Sequence, residues 1–156
     1  MPMPEPGDAL PDLELSLSDG RQVRLADFAG QWLVLYFYPK DNTPGCTREA
    51  QDFRDLEAQF KATNAVILGV SRDSLRSHEN FARKHCLPFP LVSDPEETLC
   101  QAFAVIKEKK LYGRTYMGIE RSTFLIDPKQ RIAKVWRKVK VPDHAKAVLA
   151  ALHELS

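Results

Sequence analysis

Residues 32–71 read WLVLYFYPKDNTPGCTREAQDFRDLEAQFKATNAVILGVS, and this stretch decides the fold. Trp32 to Tyr38 is an unbroken apolar, β-prone run, the pattern of a strand covered on both faces, which predicts a central place in a sheet. The run stops at Pro39, and Pro39-Lys-Asp-Asn-Thr-Pro-Gly45 is dense in turn formers. Ala50, Phe53, Leu56 and Phe60 then recur at helical spacing, so a long helix carries one apolar stripe. Thr43 followed by Pro44 matches an N-cap with proline at the first helical position, which places Cys46 in the first turn. Ala65 to Ser71 is a second apolar strand. Strand, helix and strand in that order make a right-handed βαβ unit with parallel strands, and the class is α/β.

Upstream, Leu13, Leu15 and Leu17 alternate with polar residues, Asp19-Gly20 marks a turn, and Val23 and Leu25 resume the alternation, which predicts an N-terminal β-hairpin. Downstream, a helix over about Leu75 to His85 is ended by Leu87-Pro-Phe-Pro90, and Leu91-Val92 is a short strand. Asp94 and Pro95 then read as cap and first residue of a helix carrying Leu99, Cys100 and Phe103. Ile106 to Glu120, polar and glycine-containing, reads as a long loop. Ser122 to Asp127 and Ile132 to Trp136 flank an Asp-Pro-Lys-Gln turn and predict a second hairpin. Asp143 is placed to cap a last helix with Val148, Leu149, Leu152 and Leu155 as its apolar residues.

A length of 156 residues fits a single domain spanning 1–156. With 22 Lys and Arg against 21 Asp and Glu, the net charge of +1 offers no broad footprint for nucleic acid or anionic lipid. No apolar run approaches the roughly 20 residues that span a bilayer, so no membrane partner is expected. The opening Met1-Pro-Met-Pro-Glu-Pro-Gly7 lacks the basic and apolar regions of a secretory signal, which points to a cytoplasmic protein. Cys46, Cys86 and Cys100 fit neither a disulfide framework nor paired zinc-ligand spacing. His78, His85, His144 and His153 show no metal-ligand arrangement, and no metal or cofactor is assigned.

A lone cysteine in a small protein is more often an inert core residue than a nucleophile. Cys46 differs in its setting, because a helix start offers the positive end of the backbone dipole and unpaired amides, both of which favour a thiolate. Pro39, Thr43 and Cys46 form Pro-x-x-x-Thr-x-x-Cys directly after an apolar strand, and this pattern resembles the peroxidatic motif of the peroxiredoxins. The fuller stretch Phe37 to Glu49, together with Gly118-Ile-Glu-Arg-Ser-Thr-Phe-Leu-Ile-Asp127, is similar to the bacterioferritin comigratory protein, or peroxiredoxin Q, branch.

The resemblance implies a thioredoxin-like fold, a central mixed sheet flanked by helices, and an antioxidant thiol peroxidase. Peroxides would be its substrates and thioredoxin or another thiol its reductant, with no cofactor and a monomeric chain. It implies Cys46 as the attacking thiolate, Thr43 as a hydroxyl bonding to sulfur or peroxide, Pro39 as a shield against water and Arg121 as the cation. Glu49, one helical turn after Cys46, is placed to hold Arg121 by a bidentate pair. The sequence departs from the branch where a resolving cysteine is expected, since those positions are Gln51 and Ala82. Cys86, one helical turn beyond Ala82, ranks ahead of Cys100 as a resolving thiol that would form a disulfide, and an external thiol is the alternative. A different class of function, a redox-sensing module in which Cys46 oxidation signals to a partner, fits the same residues.

Overall fold

In a computed structural model describing residues 4–156, nine strands and four α-helices follow in order. Residues 1–3, the start of the stretch read for a secretory signal, lie outside the described residues. The elements are β1 (Glu14–Leu17), β2 (Gln22–Arg24), β3 (Trp32–Phe37), α1 (Pro44–Ala62), β4 (Ala65–Ser71), α2 (Leu75–Lys84) and β5 (Leu91–Ser93). They continue as α3 (Thr98–Ala102), β6 (Ile106–Leu111), β7 (Arg114–Ile119), β8 (Ser122–Ile126), β9 (Ile132–Trp136) and α4 (His144–Leu155). A single 3-10 turn over Leu25–Phe28 follows β2, so Leu25 leaves the hairpin it was expected to extend.

Seven strands form one sheet in the order β2-β1-β5-β4-β3-β8-β9. β3 pairs in parallel with β4, and β4 with β5, as the apolar runs require of strands covered on both faces. Antiparallel partners flank these three, β1 on one side and β8 on the other, so the sheet is mixed. The two faces bury separate clusters. Phe53 and Phe60 of α1, Phe81 of α2 and Val148 and Leu152 of α4 pack on one face with Cys46. On the other face, Leu25, Phe28, Leu99, Cys100 and Phe103 pack over Leu33, Leu35 and Phe37.

Three sequence expectations are corrected. The segment 106–120 is not a loop: β6 and β7 form a separate antiparallel ribbon in register from Ile106↔Ile119 to Leu111↔Arg114. Its two-residue turn, Tyr112-Gly113, has φ of 52° and 77°, the left-handed pair that matches strand twist in a tight hairpin. Asp94 and Pro95 do not open α3, which starts at Thr98 after a left-handed Glu97. Asp94 caps from a distance instead, its carboxylate accepting from the Leu99 and Cys100 amides at 3.1 and 2.8 Å. Asp143 stands at the cap position of α4 in left-handed geometry, but its side chain makes no cap bond among the described residues.

Candidate active site

α1 begins where β3 ends, and its first residues carry the candidate sulfur. Pro44 holds the first helical position, and Cys46 lies in the first turn with its side chain buried. Among the described residues no side chain caps this helix, so the amides of its first turn keep their hydrogens for another acceptor. Thr43 occupies the cap position, yet its hydroxyl donates to the Lys40 carbonyl at 2.8 Å. Pro39 is half-buried at the strand exit.

Arg121 lies 75 residues away in sequence and arrives through sheet register. β8 runs antiparallel to β3 with Ser122 opposite Phe37, so the residue before β8 comes to the end of β3 where α1 begins. The Arg121 carbonyl accepts from the Val139 amide at 3.0 Å, which holds its backbone from the far side. Its Nη2 donates to Cys46 Sγ at 3.4 Å and its Nη1 to Glu49 Oε1 at 2.7 Å. The guanidinium carries a full positive charge within hydrogen-bonding distance of the sulfur, whereas a helix end carries about half a charge. Of these two positive ends, the guanidinium is the stronger at the sulfur.

The Glu49 contact differs from the bidentate pair expected. One carboxylate oxygen holds Arg121, while Oε2 is buried without a partner among the described residues. Burial pushes the Glu49 carboxyl up to about 7 against the opposing pull of Arg121. The Tyr36 hydroxyl is a second buried polar atom with no partner among the described residues. Gly45 gives the guanidinium its room: a Cβ there would sit 3.2 Å from Arg121 Nη2.

A buried network that sequence reasoning did not find fastens the loop between β3 and α1. Asp41 Oδ2 lies 2.7 Å from His78 Nδ1 and accepts from the Ser77 hydroxyl at 2.8 Å, and Asp41 Oδ1 accepts from the Tyr38 hydroxyl at 2.6 Å. His78 Nε2 lies 2.9 Å from the Val92 carbonyl, and the Asp41 amide donates to Asp73 at 2.8 Å. Burial alone would raise the Asp41 carboxyl, but bonds from His78, Tyr38 and Ser77 outweigh it and hold it below the ordinary range. The partners come from loop, helix and strand at separations of 36 and 37 residues, so no local motif announces them. His144 is also buried behind the site, bonded to Thr123 at 2.8 Å, and burial followed by the Arg121 field lowers it to about 4.

All three cysteines are free thiols. Cys100 is buried on the opposite face of the sheet from Cys46, and burial, followed by Asp94, pushes its thiol up. Cys86 is exposed and stands in left-handed geometry with φ of 52°, beyond the end of α2 at Lys84. The helical continuity from Ala82 to Cys86 assumed from the sequence does not hold. Leu87 nevertheless bonds back to the Ala82 carbonyl at 2.9 Å, and Ala82 and Leu87 pack against the cluster that contains Cys46.

A sulfur at a helix start, faced by a tethered guanidinium on a mixed sheet with helices on both sides, defines a thioredoxin-like thiol protein. The chain belongs to the AhpC/TSA family, which matches residues 6–135. It is 60% identical over 141 residues to peroxiredoxin Bcp of Xanthomonas campestris pv. campestris, covering 90% of this chain and 88% of that one. Peroxiredoxin Bcp of Bacillus subtilis is 55% identical over 152 residues, 97% of either chain. Among solved structures, a cysteine-to-serine variant of Xylella fastidiosa PrxQ is similar with a TM-score of 0.95 at 50% identity, covering 99% of each chain. The bacterioferritin comigratory protein of Xanthomonas campestris, studied for alkyl peroxide reduction, has a TM-score of 0.89 at 55% identity over 95% of this chain and 99% of that one.

Proposed function

We propose that this chain is a thiol peroxidase in which Cys46 attacks the peroxide. The observation that carries the reading is the 3.4 Å contact from Arg121 to Cys46 Sγ, with the same guanidinium held by Glu49 at 2.7 Å. The sulfur anion attacks one peroxide oxygen, forming an S–O bond as the O–O bond breaks. The second oxygen leaves with its electron pair and takes a proton to become water or an alcohol. Charge develops along both oxygens, so donors fixed in advance lower the barrier. Arg121 and the uncapped amides of α1 are those donors. The Thr43 hydroxyl, its hydrogen engaged by Lys40, offers lone pairs to the O–H of an incoming peroxide. Pro39 covers the strand exit against water.

The product is a sulfenic acid on Cys46, which condenses with a thiol to give a disulfide and water; a further thiol then regenerates Cys46. Cys86 is the internal candidate, being exposed and lying between Ala82 and Leu87, which pack on the Cys46 side of the sheet. Cys100 is disfavoured by its burial on the far side and its raised thiol. The donor is thioredoxin or another thiol, and the working unit is a monomeric 1–156 domain in the cytoplasm. Three cysteines whose spacing fits no disulfide framework suit a reducing compartment.

The test compares steady-state removal of hydrogen peroxide, with a thiol donor present, by the wild type and by Cys46→Ser. Turnover that vanishes in the variant supports the reading. A single stoichiometric burst in the wild type refutes turnover and leaves a sensor. Intact mass after one equivalent of peroxide then identifies the resolving thiol. A loss of about 2 Da that disappears in Cys86→Ser marks an internal disulfide, and a gain of about 16 Da marks a persisting sulfenic acid.

A further inference from the structure

The β6–β7 ribbon stands apart from the seven-stranded sheet, and the reading of Cys46 does not use it. A two-stranded hairpin alone is marginal in water, so its base must be anchored. Gly118 and Ile119 are buried, Ile119 pairs with Ile106, and the Glu120 amide donates to the Val105 carbonyl at 2.7 Å. Beyond that base the apolar residues turn outward. Leu111 is 55%, Tyr112 96%, Tyr116 45% and Met117 55% exposed, four of the six exposed large apolar side chains among the described residues. Leu111 and Tyr116 share one face, Met117 lies on the other and Tyr112 at the turn, and exposed apolar side chains gathered at one projection make it a candidate interaction surface.

The charge on the ribbon is equally uneven. Lys107, Lys109, Lys110 and Arg114 face a single carboxylate, Glu108, which gives residues 106–119 a net of +3 in a chain whose total is +1. The remainder of the protein therefore carries −2. Register sorts these groups by face, because alternate residues of a strand point the same way. Lys107, Lys109 and Leu111 share one face with Gly118, Tyr116 and Arg114. A Cβ on Gly118 would meet the Tyr116 ring at 3.1 Å and the Lys109 stem at 3.3 Å, so the glycine lets the ring lie against the ribbon beside the lysine. Exposed tyrosines beside an arginine are the composition of interface anchors, and the lysines around them add charge.

The ribbon leads directly into the candidate site, and Lys109 of that face lies near it. β7 ends at Ile119, two residues before Arg121. Burial, and after it the Arg121 guanidinium, push the Lys109 ammonium below its ordinary value while the Cys46 sulfur pulls it up, so both groups lie within electrostatic range of the ribbon.

We propose that the cationic, aromatic face of the β6–β7 ribbon, with Lys107, Lys109, Leu111, Arg114 and Tyr116 and the turn residue Tyr112, docks an acidic protein thiol donor beside Cys46. The inference rests on the peroxidase reading of Cys46. Charge complementarity selects the occupant: a second copy placed face to face would set +3 against +3. A lipid surface would not supply the thiol that the oxidised sulfur requires. Opposite charges steer the encounter, so the effect falls on association and weakens with salt.

The experiment measures peroxide turnover with two donors, an acidic thioredoxin and dithiothreitol, in the wild type, in Lys107→Glu/Arg114→Glu and in Tyr112→Ser. With thioredoxin, the charge-reversed variant is expected to lose at least tenfold in kcat/KM, through KM, and to lose the salt dependence of the wild type. Tyr112→Ser is expected to lose several-fold without changing the salt dependence. With dithiothreitol, both variants are expected to match the wild type, which also shows that fold and site are intact. An unchanged KM for thioredoxin, an equal loss with both donors, or wild-type turnover with dithiothreitol but none with thioredoxin would each overturn the proposal. So would wild-type binding to phosphatidylserine vesicles that the charge reversal abolishes while thioredoxin kinetics stay unchanged. A wild type inactive even with dithiothreitol removes the peroxidase reading itself, and the docking inference with it.

Discussion

Replacing Glu49 by glutamine should remove an unusual pH dependence of stability. The carboxyl is almost wholly buried, shares one oxygen with Arg121 and leaves the other without a partner among the described residues, and it is pushed from 4.5 up to about 7. The folded protein therefore holds this proton more tightly than the unfolded chain. The associated stabilisation is fully present below about pH 4.5 and is lost as pH rises through about 7, opposite to the behaviour of a well-paired carboxylate. At about 1.4 kcal/mol per pH unit, the shift from 4.5 to about 7 corresponds to about 3 kcal/mol. Glutamine keeps the oxygen that accepts from Arg121 and cannot ionise, so Glu49→Gln lacks this slope. The assay is urea unfolding of the reduced wild type and variant between pH 4.5 and 8. With a urea slope of about 2 kcal/mol per molar, the difference in midpoints should move by about 1.5 M in favour of the variant as pH rises. Parallel midpoint curves, or a difference moving the other way, would refute the assignment of a neutral-range proton to this carboxyl.

Arg121→Ala should slow oxidation of Cys46 by hydrogen peroxide about 100- to 1,000-fold in stopped-flow measurements, the usual cost of losing one preorganised donor. Arg121→Lys should recover only part of this, because an ammonium cannot reproduce the planar fork joining Glu49 and Cys46; full recovery would contradict the geometry. Gly69→Ala should lower stability by about 1–3 kcal/mol in urea unfolding, since a Cβ there would stand 2.7 Å from Tyr36 Cζ and 2.8 Å from Leu91 Cδ2. A neutral outcome would mean that the stack under Tyr36 yields more easily than its burial suggests. Asp94→Ala leaves the Leu99 and Cys100 amides without their shared acceptor and should cost about 1–3 kcal/mol, with faster labelling of Cys100 by a thiol reagent. Unchanged labelling would show that α3 does not depend on this cap.

The parallel heart of the sheet was legible because buried strands write themselves as continuous apolar runs, and Trp32 to Tyr38 and Ala65 to Ser71 are such runs. The helix between them was legible through a stripe whose members Ala50, Phe53 and Phe60 are buried. The β6–β7 ribbon was not, because it lies outside the main sheet and a lysine-rich strand exposed along much of its length has no apolar alternation to detect. The start of α3 was misplaced because Asp94-Pro95 imitates a cap at adjacent range, whereas the carboxylate reaches amides five and six residues on. At the site, local sequence put Cys46 in the first helical turn. The approach of Arg121 depends on Phe37 pairing with Ser122, a register set by the whole sheet, and only the family resemblance anticipated it. The Asp41–His78 network was invisible for a related reason, since its members are types that usually face water and meet only through tertiary packing.

The same network divides α2 into two unequal ends. Its opening turn is bolted down: Ser74 accepts from the Ser77 amide, Ser77 reaches Asp41, and His78 is enclosed between Asp41 and Val92. Its closing turn is washed by solvent at Arg83 and Lys84, with the Arg54 guanidinium on the His85 carbonyl and the backbone hook from Leu87 as its fastenings. Fraying of α2 is therefore expected at the trailing end and no further than Phe81 and His78, both fully enclosed. Opening of the segment bearing Cys86 would leave the loop between β3 and α1 clamped by Ser77 and His78, so displacement of the one thiol would not disorder the surroundings of the other.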